Sequence, residues 1–293
     1  MTLQEEMTTG TNTDTWASLW RRLTPLYDEG EAKAVVRLVL ECRFGMSTAD
    51  IFTDGISKLT NEARDELERI MLRLMQGEPV QYVLGYAEFL GRRFAVGPGV
   101  LIPRPETEEL CRWIISDNEG GDGGDILDIG TGSGCIAVTL AAELPQAEGT
   151  AWDVSPEALR IARENAKRAS VLVSFEQVDI LNAQSTNLKP QSLDLIVSNP
   201  PYVCESERAA MAPNVLEHEP ELALFVPDDD PLRFYRAIGS YALQALKPGG
   251  HLFFEINERL GSETEDLLAA LGFTQILIHK DQFGKDRFIS ACR

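Results

Sequence analysis

Asp125-Ile126-Leu127-Asp128-Ile129-Gly130-Thr131-Gly132-Ser133-Gly134 is the stretch that decides the fold. Its first five residues have the apolar density of a buried strand, and CIAVTLAAEL, from Cys135 to Leu144, continues as a helix. Between them, glycines at alternate positions let the backbone approach a ligand where any Cβ would collide. A glycine-rich turn after a first strand also suggests a dinucleotide site. That pattern, G-x-G-x-x-G, needs a glycine at position 135, where this chain carries Cys135. The spacing is instead G-x-G-x-G, which disfavours an oxidoreductase.

Outward from this turn, toward the C-terminus, strands and helices alternate. GTAWDV reads as the second strand and PEALRIARENAKRA as a helix. VLVSFEQV and LDLIVS follow as the third and fourth strands, PLRFYRAIGSYALQAL as a helix and HLFFEI as a strand. A helix around Thr264 to Leu271 precedes the strands TQILIH and RFISAC. Apolar strands alternating with helices predict an α/β fold, a mostly parallel, seven-stranded Rossmann-like sheet covered on both faces. The last two strands are joined too briefly for a crossover helix, so one of them should run antiparallel. In such a doubly wound sheet the first and fourth strands are neighbours, and ligands bind beyond their C-terminal ends. Asp153 ends the second strand, Asp179 and Ile180 follow the third, and Asn199-Pro200-Pro201-Tyr202 follows the fourth. Asp153 also has a local reading, as a cap for the helix that begins at Ser155-Pro156.

Toward the N-terminus the periodicity is helical. Trp16, Leu19, Trp20, Leu23 and Leu26 recur at helical spacing, and a run from Glu31 to Phe44 places Val35, Leu38, Val39 and Cys42 on one face. A third helix, capped near Thr60, carries Leu67, Ile70, Met71, Leu74 and Met75 and ends at Gly77 and Pro79. Residues 1–79 therefore read as a helical domain. Residues 80–104, with VQYVLG, YAEFLG and RRFAVGPG, read as a hairpin or extended linker. In LIPRPETEEL, Pro103 keeps Ile102 out of helical geometry. Pro105 suits the first turn of a helix with Glu106, Glu108 and Glu109 near its positive end. The α/β domain is assigned to 105–293.

Composition narrows the function classes. The 293 residues carry 27 Lys+Arg against 46 Asp+Glu, a formal charge of -19. Nucleic-acid binding requires several phosphates to be neutralised, so direct binding of nucleic acid is not expected. No apolar run is long enough to span a bilayer, and the polar start MTLQEEMTTGTNTDT reads as a frayed tail rather than a signal peptide. Five scattered cysteines without a CxxC pair, and three dispersed histidines, predict reduced thiols, a cytoplasmic setting and no metal site. A monomer is favoured.

The G-x-G-x-G turn, with an acid at its start, resembles that of class I S-adenosylmethionine-dependent methyltransferases. In that setting an acid at Asp153 can accept both ribose hydroxyls, and Asp179 stands at the adenine edge. N-P-P-Y then acquires a chemical meaning. An amide nitrogen is a poor nucleophile because its lone pair is shared with the carbonyl. Asn199 Oδ1 and the Pro200 carbonyl can accept its two N–H groups and turn the lone pair toward a sulfonium methyl, with Tyr202 packed on the planar group. No strong base is needed first, because the proton can leave after the methyl arrives, so catalysis is largely positioning and electrostatics.

The order and spacing of several motifs resemble the PrmC/HemK family, the protein-(glutamine-N5) methyltransferases of peptide chain release factors. They are Gly85-Tyr86-x-Glu88-Phe89, Ile102-Pro103-Arg104-Pro105-Glu106-Thr107-Glu108, D-I-G-T-G-S-G and N-P-P-Y. His218-Glu219-Pro220, Gly249-Gly250, Glu255 and Asp286-Arg287 continue the likeness, which covers the chain from about position 80 onward. The resemblance implies that Gly130, Thr131, Gly132, Ser133, Gly134, Asp153 and Asn199 bind S-adenosyl-L-methionine, releasing S-adenosyl-L-homocysteine. It implies that Asn199, Pro200, Pro201 and Tyr202 hold the glutamine of a release factor's Gly-Gly-Gln loop. The helical domain is then expected to dock that protein substrate. Two readings compete. One is an amino-methyltransferase of adenine or guanine in RNA or DNA, whose target nitrogens are also conjugated NH2 groups. The other is a non-catalytic cofactor-binding module, which would be expected to have lost part of one motif.

Overall fold

The computed structural model describes residues 15–118, 124–182 and 189–293. Residues 1–14, most of the expected tail, lie outside the described residues. Contacts divide the chain into two compact units, Met1–Leu84 and Gly85–Arg293.

The first unit is helical: α1 (Trp16–Arg21), α2 (Glu29–Phe44), α3 (Thr48–Phe52), α4 (Asn61–Met75) and α5 (Val80–Leu84). Its helices start where side chains satisfy their free N–H groups. Thr15 and Ser47 head capping boxes, Asp28 accepts from Glu31 N, and Thr60 accepts from Ala63 N. Leu19, Leu23, Val36, Val39, Leu40, Met71 and Leu74 are fully buried in its core. Three sequence expectations shift. The buried stripe of α2 is Ala32, Val35, Val36, Val39 and Leu40, whereas Leu38 is exposed and Cys42 half-buried. The helix touches both α1 and α5, which rotates its inward face away from Leu38. Leu26 lies past the end of α1, and it and Met75 are exposed. Val80–Leu84 is a helix rather than an extended run, because the Pro79 carbonyl accepts from both Tyr82 N and Val83 N.

The second unit opens with a hairpin, β1 (Tyr86–Phe89) antiparallel to β2 (Arg92–Ala95). α6 (Pro105–Asp117) follows, with its proline in the first turn. The elements are then β3 (Asp125–Ile129), α7 (Cys135–Glu143), β4 (Glu148–Asp153), α8 (Pro156–Ala169), β5 (Val173–Gln177) and β6 (Leu193–Ser198). A segment with short elements comes next: β7 (Val203–Cys204), α9 (Pro213–His218) and β8 (Phe225–Val226), β7 pairing parallel with β8. The chain closes with α10 (Arg233–Ala245), β9 (Leu246–Glu255), α11 (Gly261–Leu271), β10 (Thr274–Lys280) and β11 (Asp286–Cys292).

The seven-stranded sheet has the order β10-β11-β9-β6-β3-β4-β5, with β11 antiparallel to both neighbours and the remaining pairs parallel. Alternate strand residues feed two cores. Ile126, Leu195, Val197 and Phe253 meet α6, α7 and α8, whereas Leu127, Ile196, Leu252 and Phe254 meet α10 and α11. Burial of both faces explains why the central strands are predominantly apolar. β3 and β6 lie side by side at the point where strand order reverses, and their C-terminal ends open on the same place. No helix among the described residues is long and apolar enough to cross a membrane.

Candidate functional site

The turn after β3 is held from both sides. Gly130 N and Thr131 N donate to the Trp152 carbonyl of β4 at 2.8 and 2.9 Å. Asp128, fully buried, accepts from Thr131 Oγ1 at 2.6 Å and from Ala137 N at 3.2 Å, tying the turn to the first turn of α7. Its other oxygen, Oδ1, has no hydrogen-bond partner among the described residues. Burial outweighs the two hydrogen bonds and pushes the Asp128 carboxyl up to about 7.

The three motif glycines divide into two kinds. Gly130 and Gly132 have φ of 76° and 55°, and a Cβ at either would meet nothing within 4 Å. They face open space. Gly134 has φ 81°, but a Cβ there would stand 3.0 Å from Ala162 Cβ on α8, so its small size serves helix packing. Gly130, Thr131, Gly132 and Ser133 line a cavity of about 330 Å³; Gly134 does not.

Asp153 lines the same cavity. Its carboxylate accepts from Gly132 N and Ser155 N, each at 2.8 Å, and Ser155, not Asp153, caps α8 by accepting from Ala158 N. Burial raises its pKa, against the pull of those N–H groups. Each carboxylate oxygen keeps a further lone pair for a ligand hydroxyl. Asp179 and Ile180 also line the cavity; Asp179 accepts from Leu181 N and Asn182 Nδ2, an Asx-type turn that fixes its loop.

Ser198, Asn199, Pro200 and Pro201 form the wall beside the glycine turn. Ser198 Oγ donates to the Ile129 carbonyl at 2.6 Å, locking the end of β6 to the end of β3. Asn199 Nδ2 donates to Thr107 Oγ1 at 3.1 Å, and Thr107 Oγ1 donates to Glu255 Oε2 at 2.7 Å. Among the described residues, neither Asn199 Oδ1 nor the Pro200 carbonyl oxygen receives a hydrogen bond. Tyr202 sits apart from the other three. It is not in the cavity lining, it packs against the core, and its hydroxyl donates to Glu255 Oε1 at 3.0 Å. Burial and the neighbouring Glu255 charge push the Tyr202 hydroxyl well above its ordinary pKa. Glu255 itself is raised by burial, with the two hydroxyl donors and Arg287 opposing the shift.

Glu219 supplies a second clasp. Only 1% of its side chain is exposed, and it accepts from Ile102 N at 3.0 Å and pairs with Arg104 at 2.6 Å. It joins the Ile102–Arg104 strip to the segment carrying Pro220 and Leu222, and both strips line the cavity.

Sequence reasoning about binding and catalysis did not reach Thr107, Glu219 or Glu255. Thr107 stands within the Ile102–Glu108 motif, but its link to Asn199 spans 92 positions and leaves no trace in local spacing. Among the described residues, no cluster of three His, Cys, Asp or Glu side chains could hold a metal.

Two family models match the chain, "PrmC N-terminal domain" over residues 18–85 and "Methyltransferase small domain" over residues 112–222. A protein named release factor glutamine methyltransferase from Bacteroides thetaiotaomicron is 46% identical over 277 residues, which is 94% of this chain and 98% of that protein. One of the same name from Flavobacterium psychrophilum is 43% identical over 270 residues, 91% of this chain and 94% of that protein. Among solved structures, a Thermus thermophilus 16S rRNA methyltransferase in complex with AdoMet and guanosine is similar in fold. Its TM-score is 0.51 at 19% identity, over 71% of this chain and 49% of that one.

Proposed function

The chain belongs to the release factor glutamine methyltransferase family, and from that premise we propose that it moves a methyl group from S-adenosyl-L-methionine to a glutamine side-chain amide of a peptide chain release factor. The observation that carries this reading is the pairing of an open glycine cradle with two unspent acceptors on one cavity wall. The cradle is Gly130 and Gly132, and the acceptors are Asn199 Oδ1 and the Pro200 carbonyl oxygen. The glutamine of the Gly-Gly-Gln loop is the target this reading names.

The residues present suit the cofactor. A Cβ at Gly130 or Gly132 would intrude into the space that is open, and Asp153 offers unspent lone pairs to a ribose. Asp179 and Ile180 suit an adenine edge and face, and the volume of about 330 Å³ falls at the lower end of the range for small-molecule sites. Bound there, S-adenosyl-L-methionine supplies an electrophilic methyl on a sulfonium and leaves as S-adenosyl-L-homocysteine.

The protein's own contribution is positional. Asn199 Oδ1 and the Pro200 carbonyl accept the two N–H groups of the amide, which draws electron density toward nitrogen and fixes its plane. Pro201 keeps the loop from becoming a helix, leaving the Pro200 carbonyl unclaimed. Tyr202, fixed by Glu255, anchors the end of the loop; the part it plays toward the amide is as an anchor rather than a lining residue. With no strong base in the wall, proton loss follows methyl arrival. Positioning of this kind accounts for large rate factors by itself.

A separate core in residues 15–84 supports a docking role for the helical domain, since contacts remote from the reacting amide can stabilise the transition state of a protein substrate. The test is methyl transfer from isotopically labelled S-adenosyl-L-methionine to a release factor and to the same factor with its loop glutamine replaced by alanine. Label on the first alone is expected. Label on both, or on RNA or DNA in its place, defeats the reading.

A further inference from the structure

Both ends of the Asn199–Tyr202 loop are tied to one buried carboxylate. Glu255, 1% exposed, ends β9, and its two oxygens take different donors: Oε2 the Thr107 hydroxyl at 2.7 Å, Oε1 the Tyr202 hydroxyl at 3.0 Å. Thr107, 3% exposed, sits on α6 and also accepts from Asn199 Nδ2 at 3.1 Å. We propose that Thr107 and Glu255 are positioning residues that set which end of the Asn199 amide faces the substrate. The proposal rests on the reading of Asn199 as the acceptor for a glutamine NH2.

A primary amide presents an oxygen and an NH2 of nearly equal size, so packing cannot choose between its two orientations. Only the hydrogen-bond partners can. Glu255 takes a hydroxyl donor at each of its two oxygens and so acts as an acceptor, which commits the single proton of the Thr107 hydroxyl to it. The Thr107 oxygen can then only accept, so the Asn199 NH2 must turn to it. Asn199 Oδ1 is thereby directed away from Thr107, as an acceptor. The donor chain runs one way, from amide to hydroxyl to carboxylate. Reversed, Asn199 would offer N–H to a substrate N–H, donor against donor. Tyr202 completes the device by holding the second oxygen of Glu255, and the Tyr235 hydroxyl holds the Glu255 backbone carbonyl at 3.2 Å.

The experiment uses the full chain with a release factor and labelled S-adenosyl-L-methionine. Transfer by the unaltered chain to the factor's glutamine is the first arm. Its failure overturns the reading beneath the proposal and the proposal with it; with that arm positive, the variants judge the proposal alone. Thr107→Val keeps the shape and removes the hydroxyl. The expected result is a fall of roughly 10²-fold in kcat, with KM for the factor and Kd for the cofactor within about threefold. Thr107→Ser, which restores the hydroxyl, should return kcat to within about threefold of the unaltered chain. If Thr107 acts through Asn199, then Thr107→Val should cost nothing more in an Asn199→Ala background. Unchanged kcat in Thr107→Val, failure of Thr107→Ser to restore it, or full additivity with Asn199→Ala would each overturn the proposal. Should Thr107→Val fail to bind cofactor, Thr107→Ala replaces it, since it also removes the hydroxyl that links Asn199 to Glu255. Its kcat loss should likewise vanish in the Asn199→Ala background, and persistence of the loss there overturns the proposal.

Discussion

Asp153→Asn, a change of one atom, is expected to weaken cofactor binding severely. In the folded protein both Asp153 oxygens already accept backbone N–H groups, from Gly132 and Ser155, each at 2.8 Å. An asparagine has one oxygen and one NH2. Whichever way it turns, the NH2 meets an N–H, so one backbone donor loses its partner and the glycine turn or the start of α8 must shift. Besides this shift, the variant loses the charge on its contact to a ribose hydroxyl, and a hydrogen bond to a charged group is worth about 1.5–3 kcal/mol. At about 1.4 kcal/mol per decade this becomes roughly 10- to 100-fold in Kd for S-adenosyl-L-methionine. The ribose lies remote from the transferred methyl, so the rate at saturating cofactor should stay within about threefold, the mark of uniform binding lost. Titration calorimetry with S-adenosyl-L-methionine and S-adenosyl-L-homocysteine, beside steady-state kinetics, reads both quantities. A variant that binds within about threefold of the unaltered chain would refute the reasoning, as would unchanged affinity with a collapsed saturated rate.

Asn199→Ala should leave cofactor affinity near normal and lower kcat by roughly 10²–10³-fold, the scale for one preorganised polar contact, measured with the release factor as substrate. Gly134→Val should lower the thermal midpoint, because its Cβ would stand 3.0 Å from Ala162 Cβ at a φ of 81°; differential scanning calorimetry showing an unchanged midpoint would contradict the packing role. Asp128 is raised from 3.8 to about 7, so between those values the folded state holds more protons than the unfolded one and its stability falls as pH rises. For the cofactor-free chain this amounts to at most about 4 kcal/mol, complete by about pH 8, and Asp128→Asn should flatten the decline in denaturant titrations run across that range. A chain of residues 85–293 should still bind S-adenosyl-L-methionine while losing most of its kcat/KM on the intact factor; full kcat/KM would show that the helical domain does not dock it.

Much of the α/β unit was legible because strand burial on both faces leaves predominantly apolar strands, as in Ile126 to Ile129 and Leu193 to Ser198, and because their topology follows from alternation. The helical unit was legible in outline and wrong in detail. Periodicity alone placed Leu38 and Cys42 inward, but which arc of α2 is buried depends on α1 and α5, which local spacing does not encode. The elements between β6 and α10 escaped notice because β7 and β8 have two residues each, too few to show alternation.

The cavity residues named by motif gather as a wall, yet their fine placement was not readable. Gly134 packs against α8, and Tyr202 faces the core with its hydroxyl on Glu255. Thr107 and Glu255 illustrate the limit. Nothing in the spacing of 107, 199 and 255 marks them as partners, because what joins them is the approach of α6 to the ends of β6 and β9 in three dimensions.

The central claim is that a conjugated amide of a protein, rather than a base of a nucleic acid, meets the acceptors of Asn199 and Pro200. Fragment mass spectrometry of a release factor incubated with this chain and S-adenosyl-L-methionine tests it most directly. The account predicts a single added methyl on the side-chain nitrogen of the Gly-Gly-Gln glutamine. A factor left unmodified, or a methyl mapped to any other residue, would contradict it.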